Sequence, residues 1–312
     1  MDFVLSVLAP VMLSLMMAGL GLSLTLADFR VAFTRIKALS IGLAVHTFGL
    51  PLLAVVLILL LSPPVSVGFG MIILACCSGG TTANVFTYLS GGDTALSIAL
   101  SLAGKIVTVV TIPLFVGLAA THLLGSAVQV NVSIVEVGEQ VAKLMIAPVA
   151  FGMVVKALAP GWSAKAQPWV SKASMGLLLL FTLLIVYNSR DHLLELAGSA
   201  GLISVLLCGS AMVLGLGAAK LTGLPASDQK AILFHTAVQN AAFAAVLAVT
   251  TFESEEMAVP AIVYTIVMNV GGLLVVQLIR KLDPSIAETQ RREKEAAVAA
   301  AAANGRAAKK PA

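Results

Sequence analysis

The sequence carries little charge for its length. Only 11% of its 312 residues are Asp, Glu, Lys or Arg, whereas soluble domains carry about 25%. The hydrophobic share is 59% and the mean hydropathy is +1.02. Because one bilayer crossing needs about 20 apolar residues, the chain has room for roughly nine or ten crossings and little else. This composition excludes a soluble globular protein and predicts an all-α polytopic membrane protein.

Catalytic motifs are also missing. No carboxylate pair, HExxH motif or GxSxG-like nucleophile lies in or beside an apolar run, and metal-dependent or aspartyl chemistry needs such groups. All fifteen carboxylates lie in loops, in the tail or at span ends. The three cysteines, Cys76, Cys77 and Cys208, fall inside apolar runs, which predicts small buried residues and no disulfide or metal framework. We therefore expect no enzyme activity and no cofactor.

Nine apolar runs are long enough to cross a membrane. With the N-terminus outside, sixteen of the 19 basic residues fall on one side and Arg190 on the other, while Lys105 and Lys143 lie within spans. The positive-inside rule therefore predicts an N-out, C-in protein of the inner (cytoplasmic) cell membrane, and the basic surplus needs no nucleic acid. A transmembrane region over 1–281 is followed by a basic, alanine-rich cytoplasmic tail over 282–312. Lys143 follows Glu139 by one helical turn, which indicates pairing or snorkelling. The runs cover 4–26, 38–61, 67–89, 94–124, 135–157, 173–187, 198–221, 231–252 and 259–279.

Two of these runs contain polar, helix-weakening stretches. In the third run, the Gly79-Gly80 pair lies about 18 Å past Val67; in the eighth, Gln239-Asn240 lies about 15 Å past Lys230. Backbone groups freed near the bilayer midplane persist only where they face protein or a water-filled cavity. Runs one to four and six to nine align in order, so the two interruptions occupy equivalent places in an inverted repeat, as in secondary transporters.

The segment from Cys76 to Leu89, with Gly-Gly-Thr-x-x-Asn at its centre, resembles the bile acid:sodium symporter family, as does Gly92-Asp93-Thr94-Ala95-Leu96-Ser97. Gly19-Leu20-Gly21-Leu22, Leu24, Asp28-Phe29, Gln239-Asn240 and Asn269 add to a resemblance that covers about residues 13–280. It implies a core of helices 2–4 and 7–9 with two broken, crossing helices, and a panel of helices 1, 5 and 6. The chain looks like the nine-crossing version, and the substrate would be a small organic anion carried by alternating access.

The residues that match the family's sodium ligands are partly substituted. Asn84, Ser97 and Ser101 retain the side-chain oxygens that bind sodium in the family, and Gln239 is also present. The serine that precedes the asparagine in the family is replaced here by Ala83. His235 replaces a glutamate that binds both sodium ions, and His46 replaces a glutamine. Lys105 stands where relatives usually have a small polar residue. Sodium needs hard oxygen ligands, so we expect sodium binding to be abolished or greatly weakened.

Our hypothesis is that Lys105, with or without protonated His235, takes the place of the sodium charge. Because histidine titrates near neutral pH, proton coupling is an alternative, as is sodium coupling through a degenerate site. A non-transporting sensor is a remote alternative. The deep positive groups favour an anionic substrate, with half-helix N-termini beside Thr81, Thr82 and Asn240 as donors. The resemblance implies that Thr81, Asn240 and Asn269 contact substrate; Asn84 and Lys105 complete the predicted site. The substrate itself and the oligomeric state stay open.

Overall fold

A computed structural model describes residues 7–25, 35–119, 134–188, 190–286 and 290. Apart from one isolated β-bridge, the regular structure of these residues is helical. Asp28-Phe29 of the family motif, Arg30 and the tail from residue 291 lie outside the described residues. The helices are α1 Ala9–Gly21, α2 Ile36–Leu61, α3 Val65–Cys76, α4 Thr81–Leu89, α5 Thr94–Ala119, α6 134–158, α7 Pro160–Asn188, α8 Arg190–Leu221, α9 Ala226–Ala237, α10 Ala241–Thr251 and α11 Val259–Leu282.

Six helices of the described part are long and apolar enough to cross a membrane. They correspond to α2, α5, α6, α7, α8 and α11. Three shorter apolar helices are α1, α3 and α10. The prediction of a polytopic all-α membrane protein is therefore confirmed.

Helix α7 is longer than the sixth apolar run. It begins at Pro160, thirteen residues before the predicted start at Ala173. Proline is favoured at the first helical position because its missing N–H has no intrahelical acceptor there. The first half of α7 is too polar to register as an apolar run, so hydropathy alone identifies only the second half.

Two helices contain a π-helical turn just before a proline. In α2 the turn covers Val45–Gly49 and precedes Pro51; in α6 it covers Ala142–Ile146 and precedes Pro148. Proline provides no N–H and its ring displaces the carbonyl four residues earlier, which accounts for the wider turn. The first turn carries His46, a predicted site residue. Single π turns often occur at functional sites.

Helices α1, α6 and α7 pack together through small residues. A Cβ on Gly21 of α1 would lie 2.2 Å from the carbonyl oxygen of Val149 in α6, and one on Gly19 would lie 2.9 Å from Val170 of α7. Only glycine permits so close a backbone approach. The broken helices α3/α4 and α9/α10 instead pack against each other and against α5 and α11.

An ion-pair network joins the N-terminal ends of three helices, α2, α5 and α9. Arg35, just before α2, donates to both carboxylate oxygens of Asp228 in α9, at 3.1 and 3.2 Å, and lies 3.2 Å from Asp93. Asp93 caps α5 by accepting from the backbone N–H of Leu96. The predicted Glu139–Lys143 pair is also formed, at 2.6 Å, in α6.

Candidate functional site

Both predicted interruptions are true breaks, and they contact each other. Residues 77–80 separate α3 from α4, and residues 238–240 separate α9 from α10. Gly79 and Gln239 form an antiparallel β-bridge. The N–H of Gly80 donates to Val238 O and that of Asn240 donates to Ser78 O, both at 3.1 Å. Each break therefore satisfies polar backbone groups of the other, which would otherwise be unpaired in an apolar interior.

Side chains from the following helices stabilise both breaks in matching fashion. Thr108 of α5 donates to Cys76 O, the last carbonyl of α3, at 3.4 Å. Tyr264 of α11 donates to Ala237 O, the last carbonyl of α9, at 2.8 Å. Asn240 is the N-cap of α10, and its side chain accepts from the N–H of Phe243. The breaks are thus hydrogen-bonded structures and not frayed helix ends.

The side chain of His235 is completely buried beside this crossing. Neither ring nitrogen has a partner among the described residues. The ring lies against Gly79, where a Cβ would be 2.6 Å from Nδ1, and near Gly104, where a Cβ would be 3.7 Å from Nε2. A buried polar group without a partner costs about 1–3 kcal/mol. His235 is therefore not a satisfied core histidine.

His46, by contrast, is paired. Its Nε2 lies 3.0 Å from Oε1 of Gln239, and Gln239 donates through Nε2 to Thr236 O at 2.6 Å. The rings of His46 and His235 lie with centroids 5.0 Å apart. The structure thus brings together His46, Gln239 and His235, three of the residues predicted for the ion site, two of which are imidazoles.

The predicted oxygen ligands Asn84, Ser97 and Ser101 form hydrogen bonds with one another. Asn84 Oδ1 accepts from Ser97 at 2.7 Å and from Ser101 at 3.4 Å, while the position of the lost hydroxyl, Ala83, is buried. One turn further along α5, Lys105 is 6% exposed and donates from Nζ to Ser101 O at 3.2 Å. Within the part of the chain that the structure describes, no carboxylate forms an ion pair with Lys105.

A cavity of about 270 Å³ separates α1 and α7 from the start of α4. Thr81, the first residue of α4, is exposed and lines it, whereas the adjacent Thr82 is half-buried. Asn240 is buried at the crossing. Asn269 does not join these residues by a hydrogen bond; its side chain donates to Thr265 O in its own helix at 2.7 Å.

Part of this cavity consists of residues that were not predicted. Ser23, two residues after the end of α1, and three α7 residues, Gln167, Ser171 and Ser174, contribute its other polar lining groups. The spacing of the α7 residues, four and then three, puts them on one helical face. That pattern is visible in the sequence but lies mostly before the sixth apolar run.

Sequence comparison relates the chain to a family of membrane transporters. Residues 10–196 match the Sodium Bile acid symporter family. The chain is 29% identical over 262 residues to the sodium-dependent transporter YocS of Bacillus subtilis, covering 84% of this chain and 79% of the relative. It is 25% identical to the chloroplastic probable sodium/metabolite cotransporter BASS1 of Arabidopsis thaliana, over 87% of this chain and 66% of that one. The human ileal sodium/bile acid cotransporter is 23% identical, over 82% and 73%.

These relatives are named as transporters and not as enzymes, in agreement with the absence of catalytic motifs in the sequence. The family match covers well over half of the chain and includes the first broken helix. This chain belongs to the sodium bile acid symporter family.

Proposed function

We propose that the protein is a secondary transporter of a small organic anion that works by alternating access without sodium. The observation that carries this proposal is the placement of Lys105: it is buried, has no carboxylate partner among the described residues, and lies one turn beyond the Asn84–Ser97–Ser101 cluster. A buried charge in a membrane protein costs at least about 2.5 kcal/mol and is retained mainly for function. Lys105, with or without protonated His235, supplies the positive charge that sodium supplies in relatives.

In the proposed topology the helices form nine membrane crossings, with the N-terminus outside and the C-terminus in the cytoplasm. The six membrane-length helices, α1 and the two broken pairs α3/α4 and α9/α10 add up to nine. An inverted repeat is supported by the reciprocal bonds of the crossing and by the equivalent roles of Thr108 and Tyr264, each in the helix that follows a break. In this arrangement α1, α6 and α7 form the panel and the remaining helices the core.

The anion binds between these two units. Thr81 contributes its hydroxyl at the N-terminus of α4, where backbone N–H groups favour negative charge. Thr82 and Asn240 lie on the same crossing, and Asn269 lies on the adjacent α11. The cavity that Thr81 lines gives this site access from the side of Ser23, which is the cytoplasmic side in the proposed orientation.

The ligand set argues against sodium. Sodium prefers several oxygen ligands, as other hard cations do, whereas His46 and His235 present imidazole nitrogens and Ala83 presents a methyl group. The remaining oxygens of Asn84, Ser97 and Ser101 are engaged with one another. A sodium ion about 4 Å from the Lys105 ammonium would be repelled by about 4 kcal/mol at an effective dielectric of 20.

Proteoliposomes test this function directly. We expect uptake of at least one radiolabelled anion among pyruvate, pantoate and taurocholate, with equal rates in sodium and potassium media. Lys105→Ala and Asn240→Ala should abolish that uptake while the purified variants stay monodisperse. A strong sodium dependence would overturn this proposal in favour of a sodium-coupled symporter with a degenerate ion site. Absence of flux for every organic anion would favour a non-transporting sensor.

Proton coupling is the second candidate, because His235 is fully buried and neither of its ring nitrogens has a hydrogen-bond partner among the described residues. A proton taken up there would lie beside the ring of His46, whose centroid is 5.0 Å from that of His235. Uptake driven by an imposed inward proton gradient, and lost in His235→Ala, would support the symporter. Equal uptake with and without the gradient would leave a uniporter or exchanger.

A further inference from the structure

One face of α7, on the panel side of the cavity, carries a row of polar side chains, which is unusual for a membrane helix. Ser163, Gln167, Ser171 and Ser174 follow one another at spacings of four, four and three residues, so they share one face over about 16 Å of helix. Ser163 is buried and donates to Leu22 O of α1 at 3.0 Å. The other three line the cavity. Polar side chains that face a cavity inside a membrane protein indicate a solute path.

These groups offer hydrogen bonds of both kinds without charge. Gln167 donates from Nε2 to the Ser171 hydroxyl at 3.3 Å, while Ser174 donates to Val170 O at 2.7 Å. The amide oxygen of Gln167 and the hydroxyl hydrogen of Ser171 take no part in these bonds. Neutral donors and acceptors of this kind match hydroxyl groups, which both donate and accept.

The size of the cavity limits the solute. Its volume is about 270 Å³, whereas pockets for drug-sized ligands measure about 300–1,000 Å³. Apolar groups, including those of Met16, Leu20 and Leu178, form most of the wall, and the polar groups of α7, Ser23 and Thr81 form the rest. A steroid-sized anion is too large for this space, while a short hydroxylated one fits the volume and can bond to the polar groups.

A cationic group lies at the edge of the cavity. Lys156 of α6 donates from Nζ to Ser23 O at 2.6 Å, and Ser23 lines the cavity. The carboxylate of an incoming solute would meet Lys156 first and then the α4 N-terminus at Thr81. Between Ser23 and Thr81, the α7 side of the cavity is lined by neutral polar groups.

We propose that the transported anion is a short, polyhydroxylated monocarboxylate of the aldonate type, and that Gln167 and Ser171 determine this specificity by binding its hydroxyl groups. The proposal rests on the proposed function, because it assigns a substrate class to the same site. Gln167 and Ser171 select the solute, whereas Thr81 and the α4 N-terminus hold its carboxylate.

The test compares matched solutes and matched variants in proteoliposomes. Uptake of labelled threonate is challenged with unlabelled threonate, with butyrate, which has the same carbon chain without hydroxyls, and with taurocholate. Threonate should compete at least tenfold better than either, since a site built for hydroxyl groups rejects analogues that lack them. Gln167→Leu and Ser171→Ala should each reduce the threonate-to-butyrate preference about fivefold, the loss of roughly one hydrogen bond.

Thr182→Val is the control variant. Thr182 also lies on α7, but its hydroxyl bonds to Leu178 O at 2.8 Å and it does not line the cavity, so the preference should stay unchanged. Competition by taurocholate equal to threonate, or an unchanged preference in both α7 variants, would overturn the assignment. Uptake of pyruvate or taurocholate without recognition of threonate would refute this inference alone, whereas absence of uptake for every anion would refute the transport function itself.

Discussion

The imidazole of His235 lies directly against the backbone of Gly79, so that a Cβ on Gly79 would be 2.6 Å from Nδ1 and 3.1 Å from the His235 carbonyl oxygen. The glycine that weakens the first broken helix is therefore also the residue that makes room for a side chain of the second. The two breaks fit each other through this contact as well as through their backbone hydrogen bonds.

Gly79→Ala should destabilise the protein by about 1–3 kcal/mol, because the added methyl group overlaps His235 and the packing must shift. A thermal unfolding assay in detergent, read as a lowered Tm, measures the effect. Gly176→Ala is the matched control, since a Cβ on Gly176 meets no atom within 4 Å, and its Tm should be unchanged or slightly raised. Equal Tm values for the two variants would contradict the close packing of His235 on Gly79.

Tyr264→Phe should cost about 1–3 kcal/mol of stability, because it removes the side-chain hydrogen bond to Ala237 O at the second break. Thr108→Val should cost less, since its bond to Cys76 O is longer, at 3.4 Å against 2.8 Å. Thr265→Val provides the comparison: its hydroxyl bonds to Ala261 O within α11 and its loss should change the Tm little. If all three variants unfold together, the hydroxyl groups do not stabilise the breaks.

His46→Leu should destabilise the crossing by about 1–3 kcal/mol, because Oε1 of Gln239 loses its partner at a buried site. His46→Gln can donate through its own amide and should retain most of the stability. Thermal unfolding of both variants measures the difference. A Tm for His46→Leu at or above that of His46→Gln would show that the His46–Gln239 bond is dispensable.

Restoring the ligands found in relatives should restore sodium binding. The combined substitutions Ala83→Ser, Lys105→Ser, His46→Gln and His235→Glu replace the ammonium and both imidazoles by oxygen-bearing groups. Sodium at 100 times its dissociation constant would then stabilise the folded state by about 2.7 kcal/mol. The measurement is the Tm in sodium against potassium chloride, and the unmodified protein should show no difference. A monodisperse quadruple variant with no response to sodium would show that other features prevent binding.

Lys156→Gln should raise the KM for the transported anion several-fold with little change in maximal rate, because Lys156 attracts the anion at the cavity edge without occupying the site. The effect should shrink at about 1 M salt, where the Debye length falls to about 3 Å and the attraction of Lys156 is screened. Lys165→Gln removes an exposed charge from α7 that does not line the cavity, and it should leave KM unchanged. Equal KM values for all three proteins would exclude this role for Lys156.

The sequence predicted the interruptions more completely than the cavity. Gly79-Gly80 and Gln239-Asn240 are recognisable because polar or glycine residues at mid-span conflict with the rest of an apolar run. Gln167 and Ser171 were not predicted, because the first half of α7 is about as polar as a loop and hydropathy does not distinguish the two. The π turn that carries His46 could be suspected from Pro51, yet a proline can also produce a simple kink, so the sequence does not choose between these outcomes.

The sequence by itself determined that the protein lies in a bilayer, because its charge content is low. It also identified Lys105, His46 and His235 as unusual residues, since ionisable groups are costly in hydrocarbon. What only the tertiary structure decided was which of them have partners. His46 bonds Gln239, Lys105 bonds a carbonyl, and His235 bonds nothing among the described residues. The reason is physical: His46 and Gln239 are 193 residues apart in sequence, and a hydrogen bond depends on a distance that only the packing of α2 against the broken helices sets.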